Sequence, residues 1–284
     1  MKKIKNIVVA TDLSNTSHNA FEYAKGLAES LNATLTLVNV RKDFLMVSDV
    51  TLAPFPLISN QDILDKMEIF IEKENSKMDI VAVLTKIKLK VLNGDPADVL
   101  IELSNTEDVD LIVIGATGES DILTKIFGST ALKISEDANC HVLLVPHEAK
   151  WKTVEQIIYA SNSESISKKM IKEIIDIAII VNADIQFVNV KNYDPVFEIK
   201  QKEINWNELF ENISSNLYFD KHTIYGNNTV DELKKYCQKT NADMIVFVGN
   251  NRSFWVNLVR ENISKKMAMS TTIPMMVLHL DDKL

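Results

Sequence analysis

An α/β fold is predicted: two tandem open parallel sheets of five strands each, flanked by helices. Three observations lead there. Short apolar runs alternate with amphipathic stretches of helical period. The chain repeats itself at roughly domain length. Three of its seven glycines, Gly115, Gly118 and Gly128, fall within one segment, "GATGESDILTKIFGST" at 115–130. Alternation of strands and helices implies parallel sheets wound by right-handed crossovers.

The repeat is read from paired stretches. "IVVATDLS" (7–14) is echoed by "IIYASNSE" (157–164), and "ATLTLVNV" (33–40) by "ADIQFVNV" (183–190). "ADVLIELSNTEDVDLIVIG" (97–115) is echoed by "VDELKKYCQKTNADMIVFVG" (230–249). A period of this length means duplicated domains, not a solenoid. The polar stretch "PHEAKWKT" (146–153) separates them, giving domains 1–148 and 149–284.

Within the first copy, Ile7–Ala10 reads as a buried strand. The cluster Ser14–Ser17 caps the following helix, whose Ala20, Phe21, Ala24, Leu27, Ala28 and Leu31 recur at helical spacing and leave His18 on the solvated side. Strand two is Thr34–Val40. An apolar-flecked loop, 43–59, leads to a helix around 61–78. Strand three alternates Lys86, Lys88 and Lys90 with Ile87, Leu89 and Val91, the pattern of a protected edge. Asp95 caps the next helix with Pro96 at its first turn. Leu111–Ile114 is strand four, and "HVLLV" (141–145) closes the unit. That last strand and its counterpart "PMMVLHL" (274–280) are apolar on both faces and carry no gatekeeper charge, so the two final strands are expected to pair as a pseudo-dimer.

Composition narrows the function. Hydrophobic residues make up 46% and charged residues 25%, an ordinary globular balance, and no apolar run approaches membrane-spanning length. Residues 1–148 carry 14 Lys/Arg against 22 Asp/Glu, a net −8, while 149–284 balance at 17 each. Neither half is basic, which argues against nucleic acid. Cys140 and Cys237 stand alone without metal-ligand spacing, as expected of a reducing cytoplasm. The basic start is too quickly interrupted, by Asp12, for a signal peptide.

The glycines point to a ligand. Gly115 and Gly118 follow strand four, where ligands of open α/β sheets bind, beside Thr11 and Asp12 at the end of strand one. Gly128, Ser129 and Thr130 begin a helix whose free N–H groups suit a phosphate. Asp12 is suited to accept hydrogen bonds from ribose hydroxyls or an adenine amino group. Ser129 and Thr130 read as cap and ligand together, with no His or Asp partner to make either a nucleophile. Cys140 and His141 simply begin a strand.

The spacing G-x2-G-x9-G-[ST], with the blocks "IVVATDLS", "LVNV", "NGDPADVLIEL", "DLIVIGATG" and "GSTALKI" in that order, resembles the universal stress protein family. The resemblance covers both halves and implies a Rossmann-like, HUP-like fold that binds ATP (or ADP or AMP), with Mg²⁺ on the phosphates. By resemblance Thr11, Asp12 and Val40 contact the adenine and its surroundings, Gly115, Thr117 and Gly118 flank the ribose, and Gly128, Ser129 and Thr130 hold the phosphates. The family's sheet order also places the last strand at a dimerising edge, which leaves a homodimer of the tandem chain open. Two departures matter: Ala131 stands where a hydroxyl is common, and Thr117 where a basic residue or His is common. In the second copy Arg252 replaces the second glycine, Asn262 and Ile263 replace Gly128 and Ser129, and Asn162 replaces Asp12, so nucleotide binding is expected to be lost there. An enzyme is the weaker reading, since neither G-x4-G-K-[ST] nor an HxGH pair is present and slow hydrolysis is the most expected. A nucleotide-free interaction module is the other alternative.

Overall fold

A computed structural model describes residues 3–42, 59–72, 87–106, 108–115, 128–161, 168–191, 217–226, 229–248 and 272–279. The described residues fall into two compact units, one running from Ile4 to Trp151 and one comprising Lys3 and the residues from Lys152 onward. The loop 43–58, Lys86, Thr117, Gly118, and the second-copy positions Asn162, Arg252, Asn262 and Ile263 lie outside the described residues.

In the amino-terminal unit the elements are β1 (Asn6–Thr11), α1 (Asn15–Leu31), β2 (Thr34–Arg41), α2 (Asn60–Glu72), β3 (Ile87–Asn93), α3 (Pro96–Ser104), β4 (Leu111–Gly115), α4 (Ser129–Asp137) and β5 (His141–Val145). The strands are parallel and ordered β3-β2-β1-β4-β5. Covered on both faces, β1, β4 and β5 have no need to alternate, and Val9, Ile112 and Leu143 are fully buried. β3 does alternate. Lys88 and Lys90 point to solvent on the edge strand, as its sequence predicts.

Local chemistry sets the element ends. Ser14 caps α1 by accepting from the Ser17 N–H, and Asn32 closes it in the left-handed region at φ 51°. Asp95 caps α3 by accepting from the Ala97 and Asp98 N–H groups, with Pro96 following. Gly94, at φ +135°, turns the chain out of β3 and donates its N–H to the Arg41 carbonyl at 2.8 Å.

One side chain departs from its expected surroundings. His18 is buried, its ring edge-on to Phe70 of α2 at 4.9 Å, rather than solvated. Helical periodicity identifies the sheet-facing stripe of α1 but not a second covered face, and α2 covers His18.

The carboxy-terminal unit has β6 (Gln156–Ser161), α5 (Lys168–Val181), β7 (Asp184–Lys191), β8 (Phe219–Tyr225), α6 (Thr229–Lys239), β9 (Met244–Val248) and β10 (Met275–Leu278). Its parallel order, β8-β7-β6-β9-β10, is that of the first unit. The likeness extends to single bonds. Asp110 accepts from the Lys5 and Asn6 N–H groups at 2.9 and 3.0 Å, and Asp243 accepts from Glu155 and Gln156, both at 2.9 Å. Asn32 and Asn182 take the same left-handed turn. Among the described residues no helix is long and apolar enough to cross a membrane.

Candidate functional site

The reversal of strand order falls between β1 and β4, whose carboxyl ends carry Thr11 and Gly115. Crossovers leave to opposite sides there, opening a crevice. A cleft of about 310 Å³ lies at this point.

Its rim is built by a tight polar turn after β1. Thr11 Oγ1 accepts from the Leu13 N–H at 2.9 Å and shares a hydrogen bond with Ser17 Oγ, also 2.9 Å. Asp12 Oδ1 accepts from the Ser14 N–H at 3.0 Å. Between them Leu13 is held at φ 66°, a conformation a leucine rarely adopts without outside support. From β2, the buried Asn39 donates to the Thr11 carbonyl at 2.9 Å. The turn is therefore braced from three directions, and it presents Asp12 to the cleft. Burial pushes the Asp12 carboxyl up, but hydrogen bonds from Ser14 and Ser17 outweigh it and hold the group below the usual carboxylate range.

The two described glycines of the segment have different physical reasons. A Cβ on Gly115 would lie 2.9 Å from Thr16 Cγ2 and 3.1 Å from the Thr16 carbonyl oxygen, so this glycine lets α1 start hard against the end of β4. Gly128 has ordinary extended geometry, φ −62° and ψ 153°, and among the described residues nothing lies within 4 Å of where its Cβ would be. Neither its conformation nor packing among the described residues requires glycine at 128. As the N-cap of α4, Gly128 has no side chain to bond the first-turn N–H groups.

The cleft brings together Thr11, Asp12, Val40, Gly115, Gly128 and Thr130. Ser129 occupies the first position of α4 and is not among the lining residues; the cap is Gly128, not Ser129 as the sequence suggests. Sequence reasoning missed Pro96 and Leu100, one turn apart on α3, which form an apolar wall with Val38 and Ile114. Their signal was available in the four-residue spacing, but nothing in it says that α3 leans over the end of β2. It also missed Thr16 and Ser17 as lining residues, and Ala131 lines the cleft although its methyl is buried. Among the described residues no group of three or more His, Cys, Asp or Glu could hold a metal ion. Among these residues Asp12 is the one carboxylate lining the cleft.

An open parallel α/β sheet with its cleft at the strand-order reversal defines the ligand-accommodating class of doubly wound folds. Comparison with known sequences makes this specific. The model of the universal stress protein family matches residues 3–146, and the chain belongs to that family. It is 28% identical over 152 residues to universal stress protein MJ0531 of Methanocaldococcus jannaschii, covering 51% of this chain and 84% of that one. It is 27% identical over 168 residues to the stress response protein NhaX of Bacillus subtilis, covering 49% and 96%. With universal stress protein A homolog 1 of Coxiella burnetii it shares 31% identity over 141 residues, covering 50% and 95%. Among solved structures, a universal stress protein from Archaeoglobus fulgidus matches 99% of this chain and 98% of its own, with a TM-score of 0.64 and 16% identity. At that identity the likeness concerns the fold alone.

Proposed function

We propose that this chain is a nucleotide-dependent stress-response module that binds an adenine nucleotide (ATP, ADP or AMP, with Mg²⁺ carried on the phosphates) in the amino-terminal cleft. The carboxy-terminal unit is structural and binds none. The observation that carries this reading is convergence: Thr11 and Asp12, Val40, Gly115, and Gly128 with Thr130, from four separated stretches, meet in one cleft at the switch point. Val38, Val40, Pro96, Leu100 and Ile114 offer an apolar slot for a base. Asp12 offers an acceptor for ribose hydroxyls. The start of α4 offers N–H donors and a favourable dipole for phosphate, and Gly128 leaves room for it.

Binding without rapid turnover fits the same residues. Asp12, held below the ordinary carboxylate range, is a weak general base. Small molecules released by heat from freshly purified protein are expected to include adenine nucleotide near one equivalent per chain, absent from Gly118→Arg, which imitates Arg252 of the second copy. Empty wild-type protein that also fails to bind added Mg–ATP would overturn the proposal and favour a nucleotide-free interaction module.

A further inference from the structure

We propose that Asn39 is a positioning residue for the amino-terminal site: through the Thr11 carbonyl it fixes the backbone that aims Asp12 into the cleft. The inference rests on the reading that this cleft binds an adenine nucleotide, and it assigns a role to a side chain that is not among the described lining residues.

The first observation is a polar group where the packing is apolar. Asn39 lies in β2 between Val38 and Val40, both of which line the cleft. Side chains alternate along a strand, so the Asn39 amide points to the opposite face of the sheet, where Leu35 and Leu37 are its buried companions. An amide buried there costs free energy unless it is hydrogen-bonded. Its Nδ2 donates to the Thr11 carbonyl at 2.9 Å. Thr11 and Asn39 are also the last rung of the β1–β2 pairing, so the bond falls where the ladder stops guiding the chain.

The second observation is what that carbonyl belongs to. It sits in the peptide plane that carries the Asp12 N–H. The next plane carries the Leu13 N–H, which donates to Thr11 Oγ1 at 2.9 Å. Peptide units are rigid, so the φ and ψ of Asp12 are the two rotations between these planes. Asn39 holds the first plane and the Thr11 hydroxyl holds the second. Leu13, left-handed at φ 66°, gives the turn a reason to relax once either hold is lost. Removing the Asn39 donor therefore misdirects Asp12 without removing a group from the cleft wall.

Titrations of the full chain with AMP, beside melting curves, test this. Asn39→Leu keeps the volume, removes the donor, and is expected to weaken AMP about tenfold. Asn39→Asp sets a carboxylate against the carbonyl but regains an O–H donor when protonated. Burial disfavours its charged form, so its affinity is expected to lie about tenfold below wild type near pH 8 and to recover towards wild type near pH 5. In an Asp12→Ala background Asn39→Leu is expected to cost less than about twofold, because no carboxylate is left to aim. Asn189→Leu, on the matching rung of the second unit opposite Ser161, is expected to leave AMP affinity unchanged. Affinity unchanged in Asn39→Leu, level with pH in Asn39→Asp, or lowered by the same factor with and without Asp12 would overturn the positioning role and leave the nucleotide site standing. Wild-type protein that binds neither AMP nor Mg–ATP would overturn the nucleotide reading and this inference together.

Discussion

At Asp12 a strained turn has been spent on placing one carboxylate. Leu13 is left-handed, and Thr11, Ser14, Ser17 and Asn39 all bond within or to the turn that contains it. A linker without function would have no need of that conformation. Asp12→Asn is therefore expected to leave the fold intact and to weaken AMP binding by about tenfold, the scale of one lost charge-assisted hydrogen bond. Fluorescence or calorimetric titration beside a melting curve separates the two effects. The pH dependence has a definite sign. The folded carboxyl lies below its ordinary value, so its contribution is fully present above about pH 4 and is lost only as the pH falls further. Nucleotide affinity is expected to be flat from pH 5 to 8 as far as Asp12 is concerned. A titration of affinity centred near pH 6 that Asp12→Asn abolishes would contradict this assignment.

At the scale of elements, the connection between the repeats is fastened to α1. Asn19 donates to the Pro146 and Ala149 carbonyls at 2.9 and 2.8 Å, and Tyr23 meets the Trp151 ring edge-on at 5.1 Å. Gly26 completes this stripe, because a Cβ there would lie 2.2 Å from the indole. Gly26→Ala is expected to destabilise the protein by about 1–3 kcal/mol despite the higher helix propensity of alanine. In a Trp151→Ala background the same change becomes neutral or mildly stabilising, which a double-mutant cycle in urea would read directly. The paired clamps Asp110 and Asp243 are comparable in role. Either changed to Ala leaves two backbone N–H groups without their acceptor, with an expected loss of about 2–3 kcal/mol. For Asp243 burial pushes the carboxyl up, but Lys152 and the Glu155 and Gln156 N–H groups outweigh it. That contribution is present above the ordinary carboxylate range and fades as the pH falls below it.

These elements also show what a sequence can carry. Strands, caps and turns were legible because each is decided within a few residues: the apolar runs of β1 and β4, Ser14 and Asp95 at helix starts, the lysines of β3. Thr11, Asp12 and Gly115 were legible as residues that meet at one place because they end, or directly follow, strands that adjoin in the sheet. Pro96, Leu100 and the burial of His18 were not, because they depend on how α3 and α2 lean against the sheet. No local pattern encodes that lean. Gly128 was legible as a glycine, but the sequence could not say that packing among the described residues leaves its Cβ position open.

For the whole molecule, duplication supplies two units with one strand order, while composition puts the whole net charge of −8 in the first. The apolar final strand, "HVLLV", is expected to pair with its counterpart in the second copy. Residues 1–148 expressed alone should then associate as dimers in light scattering, and a persistent monomer would contradict that expectation. The proposed function is asymmetric, with one nucleotide site per chain, in the first unit. Calorimetric titration of the full chain with AMP, compared with Gly128→Leu, tests this most directly. Gly128 has backbone angles any residue adopts and open space at its Cβ among the described residues, so the variant should melt like the wild type while its side chain occupies the phosphate position. The expected result is one equivalent bound by the wild type and none by the variant. Two equivalents, or one that survives in Gly128→Leu with unchanged affinity, would place the nucleotide elsewhere and contradict the assignment.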